Sequence, residues 1–407
     1  QSLLGIVEDL NELPLLLKLM SVCPIIDIEL EKLLRRLRCS ILLNTLDNKD
    51  ASSELLNFQS ALALQCFTNE YVYNHSAEEE KILAVLEASV KKHLDNNEEP
   101  SPQAVLALAS YKGLNQYKWC DLIAVTDHTQ EVFTRQIKEP LKEQELKSNL
   151  PKLKEISDVV SSKVQKQYEE NPFPRWINLG LDSKPMPISK VADELNLKLH
   201  DNKITKVKKP DILIAGCGTG QHSIESATRF ASSKVLAIDL STTSLAYAKR
   251  KTEELGIQNI EYLQADILDL GLLNKQFDII ESAGVLHHLD NPMLGWKVLT
   301  GCLRPGGLMK IGLYSELARQ NITEIQKEID QLGIGSSSQE IRSFRDMIMK
   351  SEKKHYKQVL GAPDFYSSSE LRDFLFHTLE YRFNISEIKE YLDTLDLQFC
   401  GFEENKI

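Results

Sequence analysis

The sequence predicts an α/β domain with a doubly wound, mostly parallel sheet, preceded by an all-α domain. From residue 211 onward, short apolar runs rich in β-branched residues alternate with amphipathic segments, and parallel strands need such crossover connections. Before residue 150 nearly every segment has helical periodicity instead. A charged, proline-rich stretch separates the two regions, which is typical of a connection between domains.

The individual elements follow from these patterns. Amphipathic segments with one apolar face predict helices at 28–37, 55–71, 78–93 and 102–111. In the α/β region we predict strands at 211–215, 234–239, 260–264, 277–281 and 307–314, and helices at 221–230, 241–255 and 292–303.

The chain therefore divides into three predicted regions. A helical domain spans 1–150, and a linker that could also act as an active-site lid spans 151–209. The third region, 210–407, is the α/β domain, which consists of a core, a helical C-terminal insertion and a last strand at 210–315, 316–395 and 397–402.

The composition excludes several classes of protein. The 407 residues carry a net charge of −11, which disfavours electrostatic capture of nucleic acid or of an anionic membrane. No run approaches the ~18 apolar residues of a membrane-spanning helix. The seven cysteines form no CxxC pair, which indicates reduced thiols, a cytoplasmic location and no metal site.

Three polar features follow three consecutive predicted strands. The first strand ends in a glycine-rich turn directly before a helix, where backbone N–H groups can face a ligand. Asp239 ends the second strand, where a carboxylate can accept both hydroxyls of a ribose, and Asp266 follows the third, where it can meet an adenine amino group. Open parallel sheets bind ligands at this edge. The turn is Gly216-Cys217-Gly218-Thr219-Gly220.

Together with later motifs, this order resembles the class I S-adenosylmethionine-dependent methyltransferases, which have a Rossmann-like fold. The resemblance covers about residues 210 to 315. Its motifs are the glycine-rich turn, Ala237-Ile-Asp239-Leu-Ser, Ala265-Asp266-Ile, Phe277-Asp-Ile-Ile-Glu-Ser, Gly284-Val-Leu-His-His-Leu289 and Leu303-Arg-Pro-Gly-Gly307.

The resemblance implies S-adenosylmethionine as the cofactor. The glycine-rich turn would hold its aminocarboxypropyl group, Asp239 its ribose and Asp266 its adenine. The family usually has an acidic residue two positions before the first glycine, where this chain has Ile214. The expected cofactor-binding residues are Gly216, Cys217, Gly218, Thr219, Gly220, Asp239, Leu240, Asp266, Ile267 and Ser282.

The wider chain also resembles uncharacterised bacterial methyltransferases that are often attached to tetratricopeptide-like helical regions. This likeness helps with the architecture and implies little about the substrate. The segments that carry it are 168–176, 310–319 and 373–377, with Phe383 after them.

Methyl transfer from a sulfonium chiefly requires positioning and exclusion of water, so a catalytic base is optional. The candidate catalytic residues are His287, Glu281 and Tyr314, near the ends of the fourth and fifth strands. Alternatively, the His287–His288 pair only packs or borders the cofactor. Cys217 is interpreted as a small buried filler because it has no recognisable basic partner.

Two roles remain open for the aromatic segment 168–176: it could close over the site as a lid, or pack as a linker. Arg319 could hold an acidic group of a substrate or lie on a helix surface. His377 and Arg382 lie in the insertion, which we interpret mainly as structural.

The sequence favours a methyltransferase that acts on an unidentified nitrogen or oxygen atom of a small molecule or protein side chain. The alternative is a non-catalytic helical scaffold with a vestigial site, whose N-terminal domain binds a protein partner. A nicotinamide-dependent oxidoreductase is disfavoured because the turn lacks GxGxxG spacing. RNA methylation is disfavoured by the acidic balance and by the absence of a recognisable RNA-binding module.

The ends of the sequence carry a further expectation. The chain begins with Gln1, and only residues 403–407 follow the predicted sixth strand. The family's sheet ordinarily adds a seventh strand. We therefore expect a chain cut at both ends, with a sheet that lacks one strand or is completed from elsewhere.

Overall fold

The computed structural model describes residues 3–45, 51–181 and 184–403. The chain forms two compact units. The helical unit comprises Gln1–Lys142, Arg175–Asn178 and Asn321–Phe376, and the sheet unit comprises Glu143–Pro174, Leu179–Gln320 and His377–Ile407.

The N-terminal part of the chain is helical, which confirms the all-α expectation for this region. Three of its helices begin at serines, Ser52, Ser76 and Ser101, whose side chains accept hydrogen bonds from first-turn N–H groups. The helices are α1 (Leu3–Asn11), α2 (Pro14–Val22), α3 (Ile28–Thr45), α4 (Ser53–Thr68), α5 (Ala77–Asp95), α6 (Pro102–Ala109), α7 (Gln130–Phe133) and α8 (Glu139–Ser148).

Strands and helices alternate in the middle of the chain. They are α9 (Val159–Glu170), α10 (Ile188–Glu194), β1 (Asp211–Ala215), α11 (Gln221–Arg229), β2 (Lys234–Asp239), α12 (Thr242–Glu254), β3 (Ile260–Gln264), β4 (Phe277–Ala283), α13 (Pro292–Cys302) and β5 (Leu303–Gly312). The last helices are α14 (Gln320–Leu332), α15 (Ser338–Lys350), α16 (Lys354–Val359), α17 (Ser368–Phe376) and α18 (Ile385–Thr394).

The five strands form a parallel sheet in the order β3-β2-β1-β4-β5. One face packs on α11 and α12 through residues such as Ala227 and Leu245. The other packs on α13 and α18 through residues such as Trp296 and Ile388. Helices on both faces confirm the doubly wound, Rossmann-like prediction. The strand order reverses between β1 and β4, so the carboxyl ends of these strands border the crevice in which such sheets bind ligands.

The helical insertion differs from its prediction. Most of it, Asn321–Phe376, belongs to the helical unit rather than to the α/β domain. Helices α14, α15 and α17 share one apolar core with α1 to α4. A buried ion pair adds to this core, since the guanidinium nitrogens of Arg345 lie 2.6 Å from both carboxylate oxygens of Glu31. These partners are 314 residues apart, so local sequence patterns do not reveal the pairing.

The predicted sixth strand, 397–402, is wrong, because these residues have no strand conformation. Leu397 packs against the core on one face of the sheet, whereas Phe399 and Phe402 are more than half exposed. Residues 404–407, which were expected to follow that strand, lie outside the described residues. Among the described helices, none is both long enough and apolar enough to cross a bilayer.

Candidate functional site

The glycine-rich turn follows β1 at the crevice. Gly216 has a φ of +79°, and a Cβ there would lie 2.3 Å from a methyl carbon of Val285 in the loop after β4. A Cβ on Gly218 (φ +51°) would lie 2.6 Å from the carbonyl oxygen of Phe173. Side chains are therefore excluded at both positions. The turn is held closely between the β4 loop and the segment that contains Phe173.

Asp239 ends β2 and holds the turn from the other side. Its carboxylate accepts hydrogen bonds from Gly218 N–H at 2.8 Å and from Ser241 N–H at 2.9 Å. Burial raises the pKa of Asp239, and these two N–H bonds oppose the increase. The carboxylate thus has a fixed orientation at the crevice. Next to it, the Leu240 carbonyl accepts from the side chain of Gln264 at 2.9 Å.

Asp266 lies at the end of β3, and its side chain is buried. One carboxylate oxygen accepts a hydrogen bond from Leu268 N–H at 2.9 Å, which caps the short helix that begins at Ile267. Ser282 on β4 is fully buried, and its hydroxyl donates to the Ala215 carbonyl at 3.0 Å. The three polar residues predicted from the strand ends, Asp239, Asp266 and Ser282, therefore lie along one edge of the sheet.

Cys217, between the two glycines, is buried, and burial strongly raises the pKa of its thiol. A thiol with a raised pKa is a poor nucleophile at neutral pH. These properties agree with the interpretation of Cys217 as a small filler.

Residues 168–174 lie directly on the turn. The Phe173 carbonyl accepts from Thr219 N–H at 3.3 Å, and the Pro174 carbonyl accepts from the Thr219 hydroxyl. Beside them, the Tyr168 carbonyl accepts from the Ser241 hydroxyl at 3.0 Å. This part of the predicted lid therefore covers the glycine-rich turn, while Arg175 and Trp176 belong to the helical unit.

An aromatic cluster follows β4 and β5. His287 is fully buried, and its ring stacks on Tyr314 with centroids 4.0 Å apart. The ring of His288 stacks on His377 at 3.6 Å. Neither ring nitrogen of His287 has a hydrogen-bond partner among the described residues. Burial, together with the charges of His288, His377 and Arg319, lowers the pKa of His287 to about 2, so the imidazole is neutral.

A comparison with protein-family models identifies the kind of domain that carries this arrangement. A family model described as a methyltransferase domain matches residues 212–307. These residues form a methyltransferase domain. The match spans the glycine-rich turn, both strand-end aspartates and the histidine pair, and it confirms the methyltransferase resemblance seen in the motifs.

Several curated proteins are similar to parts of this chain. An uncharacterized protein of Synechococcus sp. is 29% identical over 209 residues, which are 48% of this chain and 49% of that protein. Malonyl-[acyl-carrier protein] O-methyltransferase 1 of Ilyobacter polytropus is 25% identical over 176 residues, 43% of this chain and 62% of that protein. The structure of PKMT2 from Rickettsia typhi in complex with AdoHcy has a TM-score of 0.41 at 17% identity and covers 54% of this chain and 44% of that one.

These matches are partial. The chain spans about half the length of the curated relatives it matches, from 48% to 62% in the first three.

Glu281 lies within strand β4, whereas His287 and Tyr314, the other two predicted catalytic residues, follow β4 and β5. Glu281 pairs in register with Ile214 on the neighbouring strand, so the two side chains lie on the same face of the sheet. Its carboxylate accepts from the Ser226 hydroxyl and lies 2.8 Å from Nε2 of His222 on α11. The carboxylate is therefore engaged with the helix that follows the glycine-rich turn. It lies next to Ile214, at which the family usually has its acid.

The sequence did not predict that residues 377–383 contact the loops that follow β4 and β5. Tyr381 N–H donates to the His287 carbonyl at 2.8 Å, and Phe383 N–H donates to the Tyr314 carbonyl at 2.8 Å. Arg319 lies over the Tyr314 ring at 3.9 Å and pairs with the carboxylate of Glu380. The only sequence signal for this segment was its likeness to uncharacterised methyltransferases. Its bonds to His287, Tyr314 and Arg319 join residues that are 60 to 95 positions apart, and local sequence patterns do not reveal such contacts.

Proposed function

We propose that the chain is a class I S-adenosylmethionine-dependent methyltransferase that transfers a methyl group to an oxygen or nitrogen acceptor on a small molecule or protein side chain. The observation that carries this proposal is the grouping of the glycine-rich turn, Asp239, Asp266 and the unpaired His287 at one crevice of a methyltransferase domain. Two of the relatives, from Dictyostelium discoideum and Ilyobacter polytropus, are named as O-methyltransferases. Oxygen acceptors are therefore the first to test.

The residues at the crevice fit this cofactor. The backbone at Gly216 and Gly218 offers a surface without side chains, on which the aminocarboxypropyl group would lie. The Asp239 carboxylate is held by two N–H groups and keeps lone pairs for the ribose hydroxyls. Asp266 would meet the adenine. Ile214 stands where the family usually has an acidic residue. Glu281 on β4 would take over part of that role, because its bonds to α11 hold the helix and the glycine-rich turn before it in place.

The other residues at the site would act by positioning the acceptor and excluding water, and not as a strong catalytic base. The bound cofactor would supply a methyl group that is already activated. Residues 168–174 would exclude water from the turn, and Tyr314, whose ring lies between His287 and Arg319, would hold the His287 ring in place. With a pKa of about 2, His287 cannot take a proton from a neutral alcohol or an ammonium group. It can orient an acceptor through a hydrogen bond.

Calorimetry with S-adenosylmethionine and S-adenosylhomocysteine tests the proposal. We expect both to bind the purified chain with one site. Transfer of labelled methyl from S-adenosylmethionine into a lysate, followed by size fractionation, then separates small-molecule from protein acceptors. If neither compound binds, the enzyme hypothesis is wrong and the scaffold alternative is favoured.

A further inference from the structure

The site of the proposed methyl transfer contains buried hydrogen-bonding groups whose partners are absent from the described part of the chain. Both ring nitrogens of His287 and Nε2 of His377 have no hydrogen-bond partner there. Unpaired buried polar atoms are costly, so these atoms are candidates to contact a ligand. Val285, two residues before His287, packs on Gly216, so this cluster adjoins the proposed cofactor site.

The hydrogen bonds of the Leu379 backbone determine which ring nitrogens of His377 and His288 carry protons. Leu379 N–H donates to Nδ1 of His377 at 3.2 Å. Nδ1 must therefore carry a lone pair, and in the neutral ring the proton lies on Nε2. Burial, followed by the charge of His288, lowers the pKa of His377 to about 3, which agrees with a neutral ring. The Leu379 carbonyl lies 2.7 Å from Nδ1 of His288, which must then be the donor.

The cluster therefore offers more donors than acceptors. His377 presents one unpaired N–H at Nε2, and the neutral ring of His287 presents one N–H and one bare nitrogen. The charge of Arg319 also lowers the pKa of both histidines, and its guanidinium is paired with the carboxylate of Glu380.

The unpaired N–H at Nε2 of His377 favours an oxygen over a nitrogen acceptor. An ammonium group has no lone pair. A neutral amine has one, and if that pair accepts an N–H bond it cannot attack the methyl carbon. An oxygen has at least two lone pairs, so it can accept from an imidazole N–H and still attack.

We propose that the methyl acceptor is an oxygen atom, of a hydroxyl or a carboxylate, held by the unpaired imidazole groups of His287 and His377. This inference rests on the proposed function. One oxygen lone pair forms the new C–O bond while the C–S bond breaks, and the electron pair of that bond remains on sulfur. A carboxylate has no proton to lose. A hydroxyl becomes a strongly acidic oxonium, which gives its proton to the bare nitrogen of His287.

Nuclear magnetic resonance of the full chain, labelled with ¹⁵N-histidine and saturated with S-adenosylhomocysteine, tests the inference. The probes are phenol, benzoate and benzylamine. We expect phenol, benzoate or both to shift the ring nitrogens of His287 and His377, and benzylamine to leave them unchanged. Which of the two oxygen probes acts distinguishes hydroxyl from carboxylate acceptors. A shift with benzylamine alone, or with none of the three, overturns the inference.

Two variants provide the control. His377→Gln should weaken binding of the active oxygen probe about three- to tenfold, the effect of one lost hydrogen bond. His200→Gln removes an exposed histidine and should change nothing. Calorimetry with S-adenosylhomocysteine on the same samples separates the two proposals: if it fails to bind, the proposed function fails, whereas binding without an oxygen-probe response contradicts only this inference.

Discussion

At the scale of single residues, burial and hydrogen bonds determine what each titratable group can do. Asp239 is a half-buried carboxylate, and Glu281 is a buried one. Asp239 is held by backbone N–H groups at the crevice, whereas Glu281 is held by side chains of α11 below it. The Asp239 carboxylate is therefore oriented for a ligand, whereas the hydrogen-bonding capacity of the Glu281 carboxylate is taken by side chains of the protein.

Replacing Asp239 with Ala should weaken binding of S-adenosylmethionine about ten- to a hundredfold. The lost hydrogen bonds to the ribose correspond to roughly 1.5 to 3 kcal/mol. Calorimetry measures the effect, and Glu261→Ala, at an exposed position on β3, is the control. Equal affinities of the two variants would contradict the assignment of Asp239.

Replacing Glu281 with Gln should destabilise the protein in a pH-dependent way. Burial opposes ionisation, but the hydrogen bond and charge of His222, with Ser226, lower the pKa of Glu281 from 4.5 to about 2. Because the folded-state pKa is depressed, the stabilisation is present at neutral pH and is lost as the pH falls from about 4.5 toward 2.

Urea unfolding of the wild type and of Glu281→Gln at pH 7 and pH 3.5 measures this loss. We expect a difference of about 1 to 3 kcal/mol at pH 7 and a smaller one at pH 3.5. A difference that is independent of pH would contradict the ionised state of Glu281.

The sequence was sufficient to place the strand-end residues, because glycine-rich turns and aspartates directly after strands have a local signature. It was not sufficient for His377. The tautomer of that ring depends on Leu379, and its neighbour His288 is 89 positions away along the chain. Periodicity within short windows does not detect such contacts.

At the scale of elements, the segment from α9 to Pro174 is a cover for the glycine-rich turn. Glu169, near the end of α9, accepts from the N–H and the hydroxyl of Thr242 at the start of α12, at 2.5 and 2.7 Å. The segment is therefore attached at one end to α12 and at the other to Thr219. Sequence reasoning left lid and linker open because an aromatic, proline-rich segment is compatible with both.

Replacing Thr219 with Val should accelerate the release of bound S-adenosylmethionine about three- to tenfold. The substitution keeps the shape of the side chain and removes the hydroxyl that bonds the Pro174 carbonyl, and one such bond is worth about 1 kcal/mol. Stopped-flow displacement by S-adenosylhomocysteine measures the rate.

Thr228→Val is the matched control for this variant. The hydroxyl of Thr228 bonds only to carbonyls of its own helix, those of Ile224 and Glu225. If both variants release the cofactor at the wild-type rate, residues 168–174 do not retain it.

At the scale of the whole molecule, segments that are far apart in the sequence belong to one compact unit. The sheet unit follows the predicted core closely, but the helical unit takes in residues from both sides of it. Residues 316–395 were predicted to form a helical insertion, and helices α14 to α17 lie in this range. The pattern of apolar residues could not show which apolar core those helices would join, since every amphipathic helix has a face to bury.

Replacing Arg345 with Met should destabilise the helical unit by about 3 to 5 kcal/mol, because the buried carboxylate of Glu31 loses its partner. Adding Glu31→Leu should recover most of this loss, since an apolar pair can replace a buried ion pair. Urea unfolding of the full chain measures both.

Arg35→Met is the comparison for a more exposed pair. The side chain of Arg35 is 24% exposed and that of its partner Asp346 is 18% exposed, so we expect a loss of about 1 kcal/mol or less. A double variant as unstable as Arg345→Met alone would show that the ion pair is not the source of the effect.

The divided helical unit has a consequence for synthesis on the ribosome. Its N-terminal helices emerge first, yet the helices that complete their core end at Phe376, about 230 residues after Lys142. At ~5–20 residues per second, this delay lasts roughly ten to fifty seconds. The sheet strands of the later unit are all translated during that interval. Helices α1 to α4 therefore complete their core only after the sheet strands have been made, and during this wait their uncovered apolar faces can bind chaperones.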